Sequence, residues 1–154
     1  MITPEQFATL LPLAAIWAEE QEEIILREGV QLSETQMTDA RKIGVSQAEL
    51  IRLLRVQRIP LPENPALAEA AHSTQLITPA TVGLTLRYGI LIRDDCWGQR
   101  QLLAHELVHT SQYERLGGFL PFLRKYLNEC ITIGYPAAPM EQEAVSRAAE
   151  LIGI

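Results

Sequence analysis

Apolar positions recur at helical spacing at both ends of the chain and at a period of two in its middle, and these shifts predict the elements. Phe7, Leu10, Leu11, Ala14, Ile16 and Trp17 gather towards one side, and Ile24, Ile25 and Leu26 resume the pattern. Thr3 as cap, Pro4 in the first turn and Glu5 start this helix, which runs to about Glu28 and stops at Gly29. The intervening run from Glu19 to Glu23 is read as a solvated face. A second helix extends from Ser33 or Glu34 to Ile43, closed by Gly44.

In ELIRLLRVQRIPLP, Leu54, Val56 and Ile59 alternate with Arg55, Gln57 and Arg58, so part of it is a strand, although Leu50 to Leu54 fit a helix end equally. Asn64 and Pro65 open a short helix. Then Val82, Leu84 and Leu86 fall on one strand face, Tyr88 and Gly89 interrupt, and Ile90 and Ile92 continue. This predicts two adjoining strands or one bent strand.

Helical spacing returns from Gly98 through GQRQLLAHELVHTSQYERL, with Asp94 or Asp95 as cap and Gly117-Gly118 as stop. Another helix carries Phe119, Phe122, Leu123, Tyr126, Leu127, Cys130 and Ile131 on its apolar side. Pro136 and Pro139 hold a turn, and MEQEAVSRAAELIGI is the last helix. The fold class is α+β, mostly helical, with a small antiparallel or mixed sheet just before the helix that carries HELVH. With 154 residues and no linker or repeat, the chain reads as one domain: residues 1–75 form an N-terminal helical part, and 76–154 hold sheet, HELVH helix and last helix.

Charge narrows the partners. A formal net charge of −6 lacks the basic field that phosphate binding needs, so nucleic acid is not expected. No run reaches the roughly 18 apolar residues of a membrane span. The apolar stretch TLLPLAAIWA has no Lys or Arg before it and contains Pro12, so it reads as a helix face rather than a secretory signal. Cys96 and Cys130 form no CxxC pair, which fits a reducing compartment, and a cytoplasmic location is expected.

The chemistry lies in HELVH. Positions i and i+4 sit one above the other on a helix, so His105 and His109 can face one ion. Glu106, about 100° further round, can reach a water on that ion without ligating it. Metal-assisted hydrolysis needs this division: imidazoles and a third ligand hold Zn²⁺, the ion lowers the pKa of its water to about 7, and a carboxylate takes the proton. Leu102, Leu103, Ala104, Leu107 and Val108 make the rest of this helix apolar, so its polar groups need partners, which a metal supplies.

A metzincin would continue to HExxHxxGxxH, but Gln112 and Arg115 stand where its glycine and third histidine should be. His72 is the one remaining histidine and does not obviously face the site. Glu141 or Glu143, on the last helix, is better placed as third ligand; residues two apart point to nearly opposite sides, so one of them binds. Cys96 is a thiolate alternative, and Gln112 could line the face of His109.

HELVH followed after one helix by PMEQEA resembles the gluzincin branch of zinc metallopeptidases, notably small bacterial single-domain members and domains of HELxHxxQ type, over about residues 80–152. The resemblance implies a zincin-like fold, zinc as cofactor, a peptide or protein substrate, and Glu141 as third ligand with Glu143 in reserve. The family's aspartate four residues after that glutamate is Val145 here. It also implies an edge strand that pairs with extended substrate, placed at Tyr88, Gly89 and Ile90, and a Tyr or His donor to the oxyanion, for which Tyr135 is the candidate. Residues 4–75 would then support or cover the cleft.

The expected function is zinc-dependent peptide hydrolysis with Glu106 as general base. The alternative is a catalytically inactive zinc-holding binding or structural domain of a larger assembly. Glu106 weighs against it, since a structural zinc site has no use for a general base.

Overall fold

A computed structural model describes residues 1–154. Helix α1 spans Pro4–Glu28 and opens on a reciprocal box: the Thr3 hydroxyl accepts from the Gln6 N–H, and the Gln6 side chain accepts from the Thr3 N–H. The chain then passes through strand β1 (Val30–Gln31) and helix α2 (Glu34–Ile43), which repeats the device with Ser33 and Gln36. A short 3₁₀ turn, Ala48–Leu50, leads into strand β2 (Arg52–Val56), and helix α3 covers Pro65–Ser73. Strands β3 (Gly83–Leu86) and β4 (Gly89–Arg93) form a hairpin. Three helices follow: α4 (Arg100–Leu116), α5 (Phe119–Thr132) and α6 (Pro139–Ile152).

The four strands make one mixed sheet in the order β1-β2-β4-β3. β2 runs parallel to β4, with Leu53 opposite Ile90, while β1 and β3 pair antiparallel to their neighbours. Two of the four strands therefore come from the N-terminal half, where β1 was not expected at all.

β4 is one of the two inner strands, and its alternation divides the core. Ile90 and Ile92 join Leu53, Leu103, Leu107, Ala144 and Ala148 between the sheet, α2, α4 and α6. Leu91 turns the other way, to Ile25, Tyr113, Phe122 and Met140 beneath α1 and α5. With both faces covered, the run Gly89–Ile92 is wholly buried, as an interior strand demands.

That position corrects the substrate-strand expectation. Gly89 and Ile90 are paired on both sides, by β2 and by β3, so they offer no free edge. Tyr88 sits in the hairpin turn with its hydroxyl donating to Glu114 at 2.8 Å. The edge strand beside the HELVH helix is β3. A parallel neighbour, β2, arrives from a distant part of the chain and occupies the side that local spacing left open.

Two other expectations change. α4 starts at Arg100, and neither aspartate caps it: residues Asp94–Cys96 form a 3₁₀ turn, with Asp95 bonded to Arg93 and Asp94 paired with Arg55. Within the acidic run of α1, Glu22 is 2 % exposed rather than solvated. Its carboxylate accepts from Arg87 at 2.9 and 2.7 Å and from the Tyr88 N–H at 3.1 Å. This clamp holds Arg87 in the left-handed region (φ 62°), which a non-glycine residue adopts at a cost, and the Thr110 hydroxyl donates to the Arg87 carbonyl. The hairpin tip is thereby fixed to α1 and α4 together.

Candidate metal centre

His105 and His109 stand one turn apart on α4, and Glu141 reaches them from α6. The close approach follows from sequence: Glu141, Ala144 and Ala148 occupy positions i, i+3 and i+7 on one face of α6, and the two alanines, fully buried, let it settle against α4. Ala138 caps α6 without a side-chain acceptor, and Glu129 of α5 substitutes by accepting from the Met140 N–H at 2.8 Å. That bond fixes the helix end one residue from Glu141.

The result is a compact donor set. His105 Nε2 lies 3.1 Å from Glu141 Oε1, and His109 Nε2 lies 2.7 Å from Glu141 Oε2. The two rings meet edge to face at 5.0 Å. His105, His109 and Glu141 thus form a group that can bind a metal ion, with all ligand atoms within 4.8 Å of one another. A tetrahedral site with bonds near 2.0–2.1 Å has ligand atoms about 3.3 Å apart, so a small outward shift of Glu141 admits the ion.

Hydrogen bonding to His109 argues independently that a cation or proton belongs here. The Gln112 side chain is fully buried, and its Nε2 donates to the Met140 carbonyl at 3.0 Å and to Glu143 Oε1 at 2.7 Å. Its Oε1, 2.8 Å from His109 Nδ1, must therefore accept, so Nδ1 carries the hydrogen. The Nε2 lone pair of neutral His109 would then face a carboxylate at 2.7 Å, a repulsive arrangement unless a proton or metal lies between. Burial opposes charge on His109, but the Glu141 hydrogen bond and the charges of Glu106 and Glu141 prevail and raise its pKa above the ordinary value. Burial likewise acts to raise Glu141, yet hydrogen bonds from both histidines outweigh it and hold this carboxyl well below the usual range.

Glu106 points a different way round the helix, as its position predicts. It is 5 % exposed; its Oε1 accepts from the Thr85 hydroxyl of β3 at 2.7 Å. The same hydroxyl lies 3.0 Å from the Glu106 carbonyl. Gly83, also on β3, leaves room for it: a Cβ there would stand 3.1 Å from Glu106 Oε2. Glu106 lies outside the ligand group but lines the same cleft.

Glu143 does not join the ligands. It accepts from Gln112 and Arg115 and pairs with Arg147, on the side of α6 that its two-residue offset from Glu141 dictates. This removes it as the reserve ligand and makes it an anchor for Gln112. Cys96 packs at the margin of the core and His72 is exposed on α3; neither belongs to the group. Val145, where the resembled family carries aspartate, is exposed beside a second cleft, and Gln112 supplies the buried support that His109 receives.

Tyr135, in the turn between α5 and α6, lines both clefts that adjoin at His105 and Glu106. Burial and the charge of Glu141 push its phenol above the ordinary range. Sequence reading did not assign Tyr126 or Thr85 to the site. The Tyr126 hydroxyl donates to Glu141 Oε2 at 2.7 Å, and its ring stacks on Phe122, which stacks on Tyr113. The available signals were slight: an aromatic at i+4 from Phe122, and a lone hydroxyl between Leu84 and Leu86.

No helix is long and apolar enough to cross a membrane. Compared with known proteins, the chain matches no family model, no curated protein and no solved structure.

Proposed function

We propose that the chain is a zinc-dependent peptide hydrolase of gluzincin type with a zincin-like fold. The observation that carries the reading is the placement of Glu106: a buried carboxylate, oriented by Thr85, that faces the cleft yet is excluded from the ligand set. A site built only to hold an ion gains nothing from it. An antiparallel edge strand, β3, beside the helix that bears the histidines supports the zincin-like comparison.

Two imidazoles and one carboxylate favour zinc and leave a fourth position for solvent or substrate. Bound zinc would supply Lewis acidity, lowering the pKa of a coordinated water and polarising a carbonyl. His105, His109 and Glu141 would hold the ion; Gln112 and Tyr126 orient two of those side chains. Glu106 takes a proton from water at its carboxylate as the water oxygen adds to the peptide carbon. It returns that proton to the departing nitrogen as the C–N bond breaks, and the second proton of the water passes from the new carboxylic acid to the amine, leaving a carboxylate and an ammonium. Tyr135 is the donor assigned to the developing oxyanion. With two free cysteines and no spanning helix, the cytoplasm is the proposed location.

The test compares wild type with Glu106→Gln, measuring bound zinc by elemental analysis and cleavage of a diverse peptide library. One zinc per chain in both proteins, with cleavage only in wild type, is expected. Zinc in both with no peptide cut by either would leave an inactive zinc-holding domain as the better reading.

A further inference from the structure

The ligand group borders a cleft of about 140 Å³ whose remaining walls carry no charge. Phe7, Leu10 and Trp17 of α1, Leu67 and Ala71 of α3, and Ile131 of α5 belong to those walls. The ionisable carboxylates and imidazoles of the lining are Glu106, Glu141, His105 and His109, all at the metal end. Most of these apolar walls come from residues before 80, outside the segment that bears the HELVH chemistry.

A second cleft of about 360 Å³, more polar, with Thr78, Thr81 and Gln101 on its walls, adjoins the first at His105 and Glu106. Gly83, His105, Glu106 and Tyr135 are common to both clefts. A ligand held at His105 and Glu106 therefore borders both the polar cleft and the apolar chamber.

We propose that this chamber binds a bulky apolar side chain of the substrate, aromatic or long aliphatic, next to the bond that is cut, and that α1 and α3 set this preference. The inference rests on the hydrolase reading given above. An apolar side chain gains by leaving water in such a pocket, whereas a charged one would be buried without a partner along walls that offer none. Acidic side chains are further disfavoured by Glu106 and Glu141 at the chamber's inner end. One methylene more or less in an apolar pocket changes selection by about tenfold or more, which sets the scale expected.

Trp17 provides a readout that needs neither metal nor cleavage. The chain has two tryptophans, and Trp97 lies elsewhere, under the Arg55 guanidinium. Titration with the N-acetyl methylamides of phenylalanine, leucine, lysine and aspartate, with and without zinc, should shift Trp17 emission for the first two only, and a Trp17→Phe variant should lose the signal. Ala14→Phe and Ala71→Phe, which fill the chamber, should each weaken phenylalanine binding about tenfold or more while zinc content stays at one per chain.

Equal response to charged and apolar probes would overturn the proposal, as would unchanged binding in both filled variants. If those variants fail to fold, the wild-type probe series decides alone. Selective apolar binding with no peptide ever cut would sink the hydrolase reading and leave an apolar ligand site. Cleavage with no preference for an apolar residue beside the cut would do the reverse.

Discussion

Gln112 Oε1 lies 2.8 Å from His109 Nδ1. The amide cannot turn, because the Met140 carbonyl and Glu143 take its two hydrogens. A fully buried side chain thus fixes one tautomer of one ligand from a position three residues along the same helix.

Replacing Gln112 by leucine keeps the volume but removes that acceptor. Loss of such outer support costs about 10–100-fold in metal affinity. Competition with a chromophoric chelator should show a drop of this size for Gln112→Leu and a smaller one for Arg115→Leu, which loses only one of the Glu143 contacts. Equal affinity in wild type and Gln112→Leu would mean that the bond does not orient His109 in solution.

The Glu22 clamp yields a prediction about stability. Glu22→Gln removes the negative charge beneath Arg87 but keeps the shape. Breaking a buried pair costs roughly 3–5 kcal/mol, and because the Arg87 side chain is 37 % exposed and regains water, about 2 kcal/mol is expected. Urea unfolding of the metal-free protein measures it. A midpoint unchanged from wild type would show that the left-handed turn at Arg87 holds without the clamp.

Tyr88 links the same hairpin to alkaline pH. Burial, then its hydrogen bond and proximity to Glu114, push its phenol up to about 12 from an ordinary 10. The folded state therefore favours the neutral phenol. This contribution is complete below pH 10 and is lost as pH rises through 12, since the unfolded chain releases the proton first. The absorbance difference at 295 nm between wild type and Tyr88→Phe should titrate near 12 while the protein stays folded. A midpoint near 10 would exclude a folded-state bond between Tyr88 and Glu114.

Local signals made the helices readable. Thr3 with Pro4 and Glu5, Ser33, Gly44 and Gly117 each act within a few residues, and the structure has the boundaries they imply. The geometry of HELVH is local too, since two histidines a turn apart need only the helix to share a face. What escaped depends on partners far along the chain. Glu22 looked solvated because Arg87 is 65 residues away. Ile90 looked like an edge because nothing near it announces β2. Glu141 was selected over Glu143 by resemblance, whereas in three dimensions the two alanines of α6 decide it.

Gly83 ties the strand to the chemistry. It stands on β3, opposite Ile92 of β4, and does not take a left-handed conformation, so its small size matters for space rather than for backbone freedom. A methyl group there would meet Glu106 Oε2 at 3.1 Å, Cδ at 3.2 Å and Cγ at 3.3 Å, which forces the carboxylate aside by a few tenths of an ångström. The ligands lie on other faces of α4 and α6 and keep their contacts. Since a displacement of 1 Å can cost about 10²-fold in rate, the proposed hydrolysis predicts that Gly83→Ala lowers kcat about tenfold with bound metal unchanged. A parallel loss of zinc would instead mean that β3 supports the ligand set itself, and unchanged turnover would remove Glu106 placement from the rate-limiting step.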